Sequence, residues 1–535
     1  MRRLFLRTAA IVFALPVAAA TADNDRSAAD GSADHREVVL LINNIAQIRE
    51  QSGVAAVGLA LVRGADVLYS GGFGVLDLEY SDATTEAKTP AKHSVKSRPA
   101  VPAAVAIAAN TATATTKEVP GEITRQIKGN TTHKNIGETV TADTLFRVGS
   151  ITKSFTGLTA LRLARHHKGL LQLQATAVID NVVQDPFNET PVTLQALLEH
   201  TAGLNDLSQA EFDVQDADIT FAEALNVSPR TRVLKWAANR HSSYSNAGYG
   251  IAGYMLEKVT HKRYEELVHE QLLAPLNMNA SGFYLAAGGP PLAVGYNSDG
   301  VSRLPYWHMI YRSFAGLNST PRDMARFLSA LLTAGTGDST WLTKAERQRF
   351  ENPQTTLAAR TGLDYGYGLG NYHWFRKGAR FHGHGGDADG YLSHYAYNHE
   401  SGLGYFVVIT AFKHPVLRAM RDELEDFIAG HTSPVTAPTH PLEPAQLKQW
   451  TGQYAPVTQR FGGAPAGAAT LEIRLVNGQL ETRHEDIQHA LIAVSERHFR
   501  REWQPQATYA FIVDGDDTYL QGDLGNFKKI GTRGR

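Results

Sequence analysis

A serine and a lysine three residues apart give this sequence its clearest chemical signal. Ser150 follows a glycine, and Lys153 comes one helical turn later in a segment that continues with leucines at helical spacing. If a helix begins at Ser150, the two side chains share one face and the amine can reach the hydroxyl. The helix N-terminus also brings free N–H groups beside the serine. A lysine that loses its proton in a dry pocket can act as a base, so this pair predicts nucleophilic acyl transfer.

A tyrosine and an asparagine further along the chain could assist this serine. Tyr244 and Asn246 form a Tyr-x-Asn triplet just before a glycine-rich segment that has the pattern of a helix start. A phenol near Lys153 can pass a proton between Ser150 and a leaving group. The Asn246 amide can bind a substrate carbonyl or hold Lys153. Taken alone, a tyrosine in this position is also typical of a packed aromatic side chain with one hydrogen bond.

A third segment combines histidines with glycines. His384 is followed by Gly385 and Gly386, and glycines let a backbone pass close to a ligand. One N–H group from this segment, together with that of Ser150, could form an oxyanion hole. A glycine-rich turn with incidental histidines is the alternative interpretation. His200 ends a helical segment, where an imidazole can satisfy free carbonyl groups, and we expect it to be structural.

The order and wide spacing of these three motifs resemble the serine β-lactamase and penicillin-binding-protein superfamily. The similar branch contains class C β-lactamases, D-aminopeptidases, DD-carboxypeptidases and family VIII esterases, and the resemblance covers about residues 35–430. It implies that Ser150 is the acylated nucleophile and that Lys153 and Tyr244 are the proton-transfer pair. It also implies that no cofactor and no metal take part. The substrate-binding groups that it implies are Asn246, His384, Gly386 and Asp387, the last through the second oxyanion N–H.

The third motif departs from the pattern of that family. It lacks the lysine and the hydroxyl with which β-lactamases hold a substrate carboxylate, so an efficient β-lactamase is disfavoured. Arg360-Thr361-Gly362 is not the missing Lys-Thr-Gly motif. The tyrosine- and glycine-rich stretch 365–370 follows it, and in the family such a stretch precedes the third-motif strand.

Two other functions stay open at this point. One is a zinc hydrolase, because His382 and His384 lie close in sequence to further potential ligands, namely Asp387, Asp389, His394 and His399. Asp387 lies one position later than the aspartate in the His-x-His-x-Asp-His pattern of metallo-β-lactamases. The surrounding sequence also lacks the αββα pattern of those enzymes. The other is a non-catalytic penicillin-binding or sensor protein that kept the pocket without turnover.

Composition and the N-terminal residues limit the setting in which the protein works. The 535-residue chain has a net charge of −1 and no cysteine, so disulfides play no part. That charge gives no reason to expect nucleic acid or an anionic membrane as a partner. Arginines precede an apolar run at about residues 9–20, which predicts a signal peptide over residues 1–22. We therefore expect a periplasmic or secreted protein without membrane insertion after cleavage.

The hydrophobic pattern predicts an α/β (α+β) hydrolase domain over residues 35–430. An antiparallel sheet flanked by helices accompanies an all-helical subdomain, and residues 81–137 read as a surface insertion rich in Ala, Thr, Lys and Pro. The expected helices span 37–51 and 416–428, with further helical segments between 150 and 281. The expected strands span 54–62, 67–69, 369–374, 394–398 and 404–412.

The C-terminal part of the chain has a different character. Four prolines mark residues 431–444 as a linker, and short alternating strands separated by turns follow over residues 445–535. This pattern predicts an all-β sandwich or barrel, and it loosely resembles the lipocalin-like domain appended to some of these hydrolases. The predicted function is an exported serine hydrolase that acts through an acyl-enzyme on Ser150. Its substrate is a small molecule or peptide, either an amide of the D-amino-acid or peptidoglycan type or an ester.

Overall fold

The computed structural model describes residues 33–78, 138–214, 216–336, 341–458, 460, 469–484 and 487–531. The predicted signal peptide and the predicted insertion at 81–137 lie outside these residues. In the part of the chain that is described, no helix combines the length and the apolar character needed to cross a membrane. The described residues form a mixed helix-and-sheet body followed by a β-barrel.

The helices of the described residues are numbered in chain order. They are α1 Ala33–Ser52, α2 Thr152–Leu163, α3 Leu194–Leu198, α4 Phe221–Val227, α5 Asn246–Thr260, α6 Tyr264–Val268, α7 Arg312–Ala315, α8 Pro321–Leu332, α9 Lys344–Glu351, α10 Leu357–Arg360, α11 His414–Gly430 and α12 Pro444–Lys448. A short 3₁₀ turn, Gly149–Ile151, leads directly into α2.

The body is built on one antiparallel sheet of six strands, in the order Asp66–Gly74, Ala56–Arg63, Leu403–Ile409, Tyr391–Tyr397, Ala379–Ala388 and Tyr372–Arg376. The N-terminal hairpin thus completes a sheet whose other strands come from the end of the domain. The strands of the body are β1 Ala56–Arg63, β2 Asp66–Gly74, β3 Phe146–Arg147, β4 Asp213–Val214, β5 Gly295–Tyr296, β6 Arg303–Leu304, β7 His308–Met309, β8 Asn318–Ser319, β9 Tyr372–Arg376, β10 Ala379–Ala388, β11 Tyr391–Tyr397 and β12 Leu403–Ile409.

Each face of this sheet packs on a separate layer of helices. Successive side chains of a strand point to opposite faces, so Val407 and Val408 of β12 enter different cores. Val407 packs with α1 and α11, whereas Val408 packs with α2, α8 and the helical subdomain. Helix α2 lies between the sheet and the other helices, and its residues are buried all round rather than along one stripe. The predicted antiparallel sheet flanked by helices is confirmed.

The residues on either side of the predicted insertion are joined by hydrogen bonds. The Leu76 N–H donates to the Glu138 carbonyl at 2.8 Å, and the Val140 N–H donates to the Gly74 carbonyl at 3.1 Å. The described residues on the two sides of positions 79–137 therefore meet beside the end of β2.

The C-terminal strands close into an eight-stranded antiparallel barrel. Closure comes from the pairing of the first strand with the last, with Gln453 opposite Ile530. Buried side chains such as Tyr454, Phe499 and Phe511 fill its interior. The predicted all-β domain is thus confirmed, as a barrel. Its strands are β13 Gly452–Pro456, β14 Leu471–Val476, β15 Gln479–His484, β16 Ile487–Ala493, β17 His498–Arg500, β18 Tyr509–Asp514, β19 Asp517–Gly522 and β20 Gly525–Ile530.

The barrel packs directly on the body. Leu357, the first residue of α10, and Leu363, which follows that helix, form a small apolar cluster with Ile512 and Tyr519 of the barrel. The Arg360-Thr361-Gly362 segment also faces the barrel, since the Thr361 hydroxyl lies 3.0 Å from Nε2 of His498. That segment belongs to the interface between the domains.

Candidate active site

Two glycines allow the turn that carries Ser150 to lie against the end of β10. Gly149 has a φ of +54°, and a Cβ atom there would come within 2.6 Å of the Asp387 carbonyl oxygen. A Cβ atom on Gly386 would come within 2.0 Å of the Val148 carbonyl oxygen. Because side chains would fill both spaces, only glycine permits this approach. The serine turn and the third motif are therefore in direct backbone contact.

Lys153 lies on the first turn of α2 with its amine next to the Ser150 hydroxyl. Its Nζ atom is 2.9 Å from Ser150 Oγ and 3.0 Å from the Phe314 carbonyl oxygen. The side chain is fully buried, and the ring centroids of Tyr244 and Tyr249 lie 4.8 and 5.5 Å from Nζ. Burial holds the pKa of Lys153 well below its ordinary value. A neutral amine at this position can accept the proton of the Ser150 hydroxyl.

Tyr244 meets the serine from the other side of the site. The Ser150 side chain is near enough to its hydroxyl to lower the pKa of Tyr244, and the ring lies 4.3 Å, centroid to centroid, from the ring of His200. Burial raises the pKa of Tyr244 well above its ordinary value, and the nearby Arg460 partly offsets that rise. Tyr244 is therefore a protonated phenol at neutral pH. It can relay a proton, but it does not rest as a phenolate.

The start of α5 fixes the backbone of the second motif. The Ser245 hydroxyl caps this helix by accepting a hydrogen bond from the Gly248 N–H at 3.3 Å. The Ser245 N–H donates to Nδ1 of His200 at 3.1 Å. His200 is buried, and burial holds its pKa well below the ordinary value. The structure thus places His200 as a neutral support for Tyr244.

Asn246 is held by a buried carboxylate. Its N–H and Nδ2 atoms donate to the two carboxylate oxygens of Asp206 at 2.8 and 3.3 Å. The Asn246 Oδ1 atom is buried and has no hydrogen-bond partner among the described residues. An orphaned buried acceptor is costly, so this oxygen is suited to receive an N–H group of a bound substrate.

His384 lies on β10 as a neutral imidazole. The Tyr367 hydroxyl is 2.7 Å from its Nε2 atom, and Nδ1 faces the Gly385 carbonyl. Burial, with a smaller contribution from Lys153, lowers the pKa of His384 to about 3. The third motif therefore supplies a polar group at neutral pH and cannot supply the positive charge of the missing lysine.

The register of the β10–β11 hairpin directs the backbone of Asp387. A two-residue turn joins Ala388 to Tyr391, and this closing pair is the hydrogen-bonded kind. Such pairs alternate along an antiparallel ladder, so Asp387 and Leu392 form a non-hydrogen-bonded pair. The Asp387 N–H thus points away from β11, on the side where the serine turn packs. Together with the N–H of Ser150 it can form an oxyanion hole.

The histidines considered as zinc ligands occupy different surroundings. Within the described ranges, His382 groups with Glu351 and His399 as potential metal ligands, without His384 or Asp387. Asp389 accepts a hydrogen bond from the Trp307 indole at 2.9 Å. His394, in turn, lies 2.9 Å from the Tyr405 hydroxyl. The described residues therefore do not assemble a metal centre around His382, His384 and Asp387.

Sequence reasoning missed a barrel residue in this site. Arg460, in the loop after β13, places Nε 2.6 Å from an Asp206 carboxylate oxygen, and its carbonyl accepts the Asp206 N–H at 3.1 Å. Its guanidinium carbon lies 4.5 Å from the centroid of the Tyr244 ring. Arg460 also lowers the pKa of Lys153, whereas Asp206 raises it. No spacing or motif in the sequence marks either residue.

The barrel also braces the segment that leads to Tyr244. The Gln521 side-chain amide donates to the Arg240 carbonyl at 2.9 Å, and that of Asn526 donates to the Ser242 carbonyl at 2.8 Å. These carbonyls lie four and two residues before Tyr244. The barrel therefore helps to position the backbone of the segment that leads into the Tyr-x-Asn motif.

Comparison with known proteins agrees with this geometry. A model of the Beta-lactamase family matches residues 41–429. The chain belongs to the Beta-lactamase family. This match confirms the resemblance to serine β-lactamases and penicillin-binding proteins, and it spans the Ser-x-x-Lys, Tyr-x-Asn and His-Gly-Gly motifs.

Among curated relatives in this family, the similarity is moderate. The chain is 25% identical to penicillin-binding protein 4 of Amycolatopsis lactamdurans over 376 residues, which are 65% of this chain and 92% of that protein. It is 29% identical over 210 residues to the unguisins hydrolase ungD' of Aspergillus campestris, 36% of this chain and 39% of that protein. With teichoic acid D-alanine hydrolase of Staphylococcus aureus the identity is 25% over 203 residues, 36% of this chain and 47% of that protein. The chain thus covers less than half of the last two.

Solved structures share the fold across both domains. The penicillin-binding protein homologue from Pyrococcus abyssi has a TM-score of 0.53 at 19% identity, covering 92% of this chain and all of the other. The structure of SurE with D-Leu has a TM-score of 0.53 at 15% identity, again over 92% of this chain and all of the other. At these identities the likeness shows the fold alone.

Proposed function

We propose that this member of the Beta-lactamase family is an exported serine hydrolase that forms and hydrolyses an acyl-enzyme on Ser150. The observation that carries the proposal is the buried Lys153 amine 2.9 Å from Ser150 Oγ. Its lowered pKa suits it to take the serine proton. The apolar run near residues 9–20 supports export.

The proposed reaction begins with a proton transfer that activates the nucleophile. Lys153 takes the proton of Ser150 as Oγ attacks the substrate carbonyl carbon, and the N–H groups of Ser150 and Asp387 stabilise the oxyanion. Tyr244 donates its proton to the leaving amine or alcohol and recovers one from Lys153. Water then attacks the acyl carbon with the same groups acting in reverse, which frees Ser150.

The proposed substrate is an amide of the D-amino-acid type, as in peptidoglycan peptides, or a D-amino-acyl or simple ester. The names of two relatives, penicillin-binding protein 4 and teichoic acid D-alanine hydrolase, support this class. The orphaned Oδ1 of Asn246 suits a substrate N–H next to the scissile bond. The neutral His384 argues against efficient turnover of β-lactams, whose carboxylate the family's lysine would hold.

A substrate panel with intact-mass detection tests this function. D-alanyl peptides, D-alanyl esters, p-nitrophenyl esters and a chromogenic cephalosporin are compared on the full chain, with Ser150→Ala as the matched control. We expect multiple turnovers on an ester or D-amino-acyl substrate and a transient adduct on Ser150. A stable adduct without turnover would instead identify a penicillin-binding or sensor protein. Equal turnover by Ser150→Ala would refute the acyl-enzyme.

A further inference from the structure

We propose that Glu351, His382 and His399 form a structural binding site for a divalent metal ion of the zinc class, separate from the catalytic serine. Glu351 is the last residue of α9, His382 lies on β10, and His399 follows β11. One ligand atom from each of the three lies within 4.8 Å of the others. Three segments that are distant in sequence thus present metal-binding groups to one point.

The ligand types match the chemistry of zinc. Two imidazoles and a carboxylate are a common Zn²⁺ set, completed by a solvent molecule. The Nε2 atom of His399 lies 2.7 Å from Oε1 of Glu351, so these two groups already face each other. Zinc bonds of about 2.0–2.2 Å place tetrahedral ligands roughly 3.4 Å apart. A pair at the 4.8 Å limit must therefore close by about 1.4 Å, and the Glu351–His399 pair must open by about 0.7 Å.

One of the three side chains also carries a buried nitrogen without a partner. The Nδ1 atom of His382 is buried, and it has no hydrogen-bond partner in the part of the chain that the structure describes. A buried imidazole nitrogen without a partner is destabilising, and a metal ion would supply one. This observation is independent of the spacing of the three residues.

The surroundings also suit a metal site. The Tyr397 hydroxyl donates to Oε1 of Glu351 at 2.8 Å, which is the kind of outer contact that orients a ligating carboxylate. A cavity of about 270 Å³ is bordered by His382 and His399 and gives an ion a route of entry. Arg380 also borders it, but its charge is balanced by Asp364 at a distance of 2.9 Å.

An ion at this place would tie β10 to α9 and to the end of β11. His382 lies two residues before His384 on the same strand, so the ion would stiffen the strand that carries the third motif without contacting Ser150. This role predicts a gain in stability on metal binding and no requirement of the metal for hydrolysis.

The test uses the full-length chain prepared without a histidine tag, stripped with a chelator and titrated with Zn²⁺. We expect about one tightly held zinc per chain, a melting temperature raised by several degrees, and hydrolysis within about twofold of the stripped protein. His399→Asn and Glu351→Gln should each reduce bound zinc to below about a tenth. His489→Asn, which removes a half-buried imidazole of the barrel, should leave the stoichiometry unchanged.

Spectroscopy on the unaltered chain provides a check that does not depend on variants that fold. Co²⁺ should give the visible absorption of a tetrahedral site, and X-ray absorption of the zinc form should show two imidazole ligands. Zinc retained equally by both ligand variants, or an absence of imidazole ligands, would overturn the proposal. Hydrolysis that is lost with chelation and restored by zinc would overturn the structural role. The metal readouts do not use activity, so they stand even if the proposed hydrolase function fails.

Discussion

The body and the barrel contribute different things to one site. The body supplies the groups that would make and break bonds, Ser150, Lys153 and Tyr244, with the Lys153 amine 2.9 Å from Ser150 Oγ and 4.8 Å from the centroid of the Tyr244 ring. The barrel supplies one charged side chain, Arg460, and two amides that hold backbone carbonyls. The reactive groups thus come from one domain, while their electrostatic setting and part of their placement come from the other.

This difference shows how an appended domain can act on catalysis without contributing a reactive group. Gln521 and Asn526 act on the chain before Tyr244, and Arg460 contacts the Tyr244 ring directly. All three barrel contacts converge on the second motif, whereas Ser150 is positioned by α2 and β10. We therefore expect changes in the body to abolish turnover and changes in the barrel to tune it.

The largest effect should come from Ser150→Ala. Loss of the nucleophile should lower kcat by about 10⁴–10⁶-fold, because triad-type nucleophiles show losses on that scale. Steady-state hydrolysis measures the loss, and an unchanged melting temperature shows that the fold is intact. Activity above about a tenth of the parent would remove Ser150 from the mechanism, given the size of such losses.

Lys153→Ala and Tyr244→Phe should each lower kcat by about 10²–10⁴-fold with little change in KM. Both groups serve one proton relay, so the double variant should be far less than additive. Steady-state kinetics of the two single variants and the double variant measure this coupling. Strictly additive losses, or a Tyr244→Phe enzyme as fast as the parent, would show that the tyrosine is only a packed aromatic.

Arg460→Ala should shift the pH profile rather than abolish activity. The guanidinium lowers the pKa of Lys153, while Asp206 raises it. Its removal leaves the carboxylate unbalanced, so the lysine pKa rises and the neutral base forms only at higher pH. The acid limb of kcat/KM should move to higher pH, with a loss of activity on that limb and little change on the plateau.

Arg483→Ala is the matched control for the charge of Arg460. It removes an exposed arginine from the same barrel and should leave the profile in place. If the pH profile of kcat/KM for Arg460→Ala is the same as that of the parent, the barrel does not affect the pKa of Lys153.

Gln521→Leu should have a smaller effect on kcat, because it displaces the chain segment before Tyr244 and removes no reactive group. The side chain accepts a hydrogen bond from the Ala358 N–H at 2.8 Å and donates to the Arg240 carbonyl. Its loss leaves buried groups unpaired, which should cost about 1–3 kcal/mol of unfolding free energy. We expect kcat to fall about three- to tenfold with KM unchanged, since small displacements of a catalytic group slow the chemical step.

Gln488→Leu, an exposed change on another barrel strand, is the control for Gln521→Leu. It should change neither stability nor kcat. A Gln521→Leu enzyme that loses stability but keeps the full kcat would restrict that contact to the domain interface.

Removal of about residues 85–135 should have the smallest effect. The described flanks already meet through the Leu76–Glu138 hydrogen bond, so a short linker can join them at little entropic cost. Both kcat/KM and the melting temperature should stay close to the parent values. Insoluble protein, or a large loss of activity, would show that the segment packs on the body or covers the site.

The sequence predicted what depends on local pattern. The Ser150–Lys153 pair follows from helical spacing, and the final helix of the body, His414–Gly430, extends the predicted 416–428 by two residues at each end. The family resemblance, and not composition, placed His384 on a strand. Its run of glycines and histidines reads as a turn, yet β10 forms because strands on both sides pair with it.

The last barrel strand and the Asp206–Arg460 pair depend on contacts between distant residues, which a local sequence pattern does not predict. The last barrel strand, Gly525–Ile530, has a weak strand pattern of its own, because glycine, asparagine and lysine are poor strand formers. It forms because its pairing with β13 closes the barrel. Asp206 and Arg460 are 254 residues apart, so their meeting follows only from the docking of the two domains.

Asp206 has a consequence for how this two-domain arrangement can vary during evolution. Its carboxylate is buried, and its oxygens are shared between Asn246 of the body and Arg460 of the barrel. Loss of Arg460 alone would leave this buried anion without its cation close to Lys153, an imbalance that is strongly destabilising. Positions 206 and 460 should therefore covary, with an acid at the first retained where the second domain brings a base.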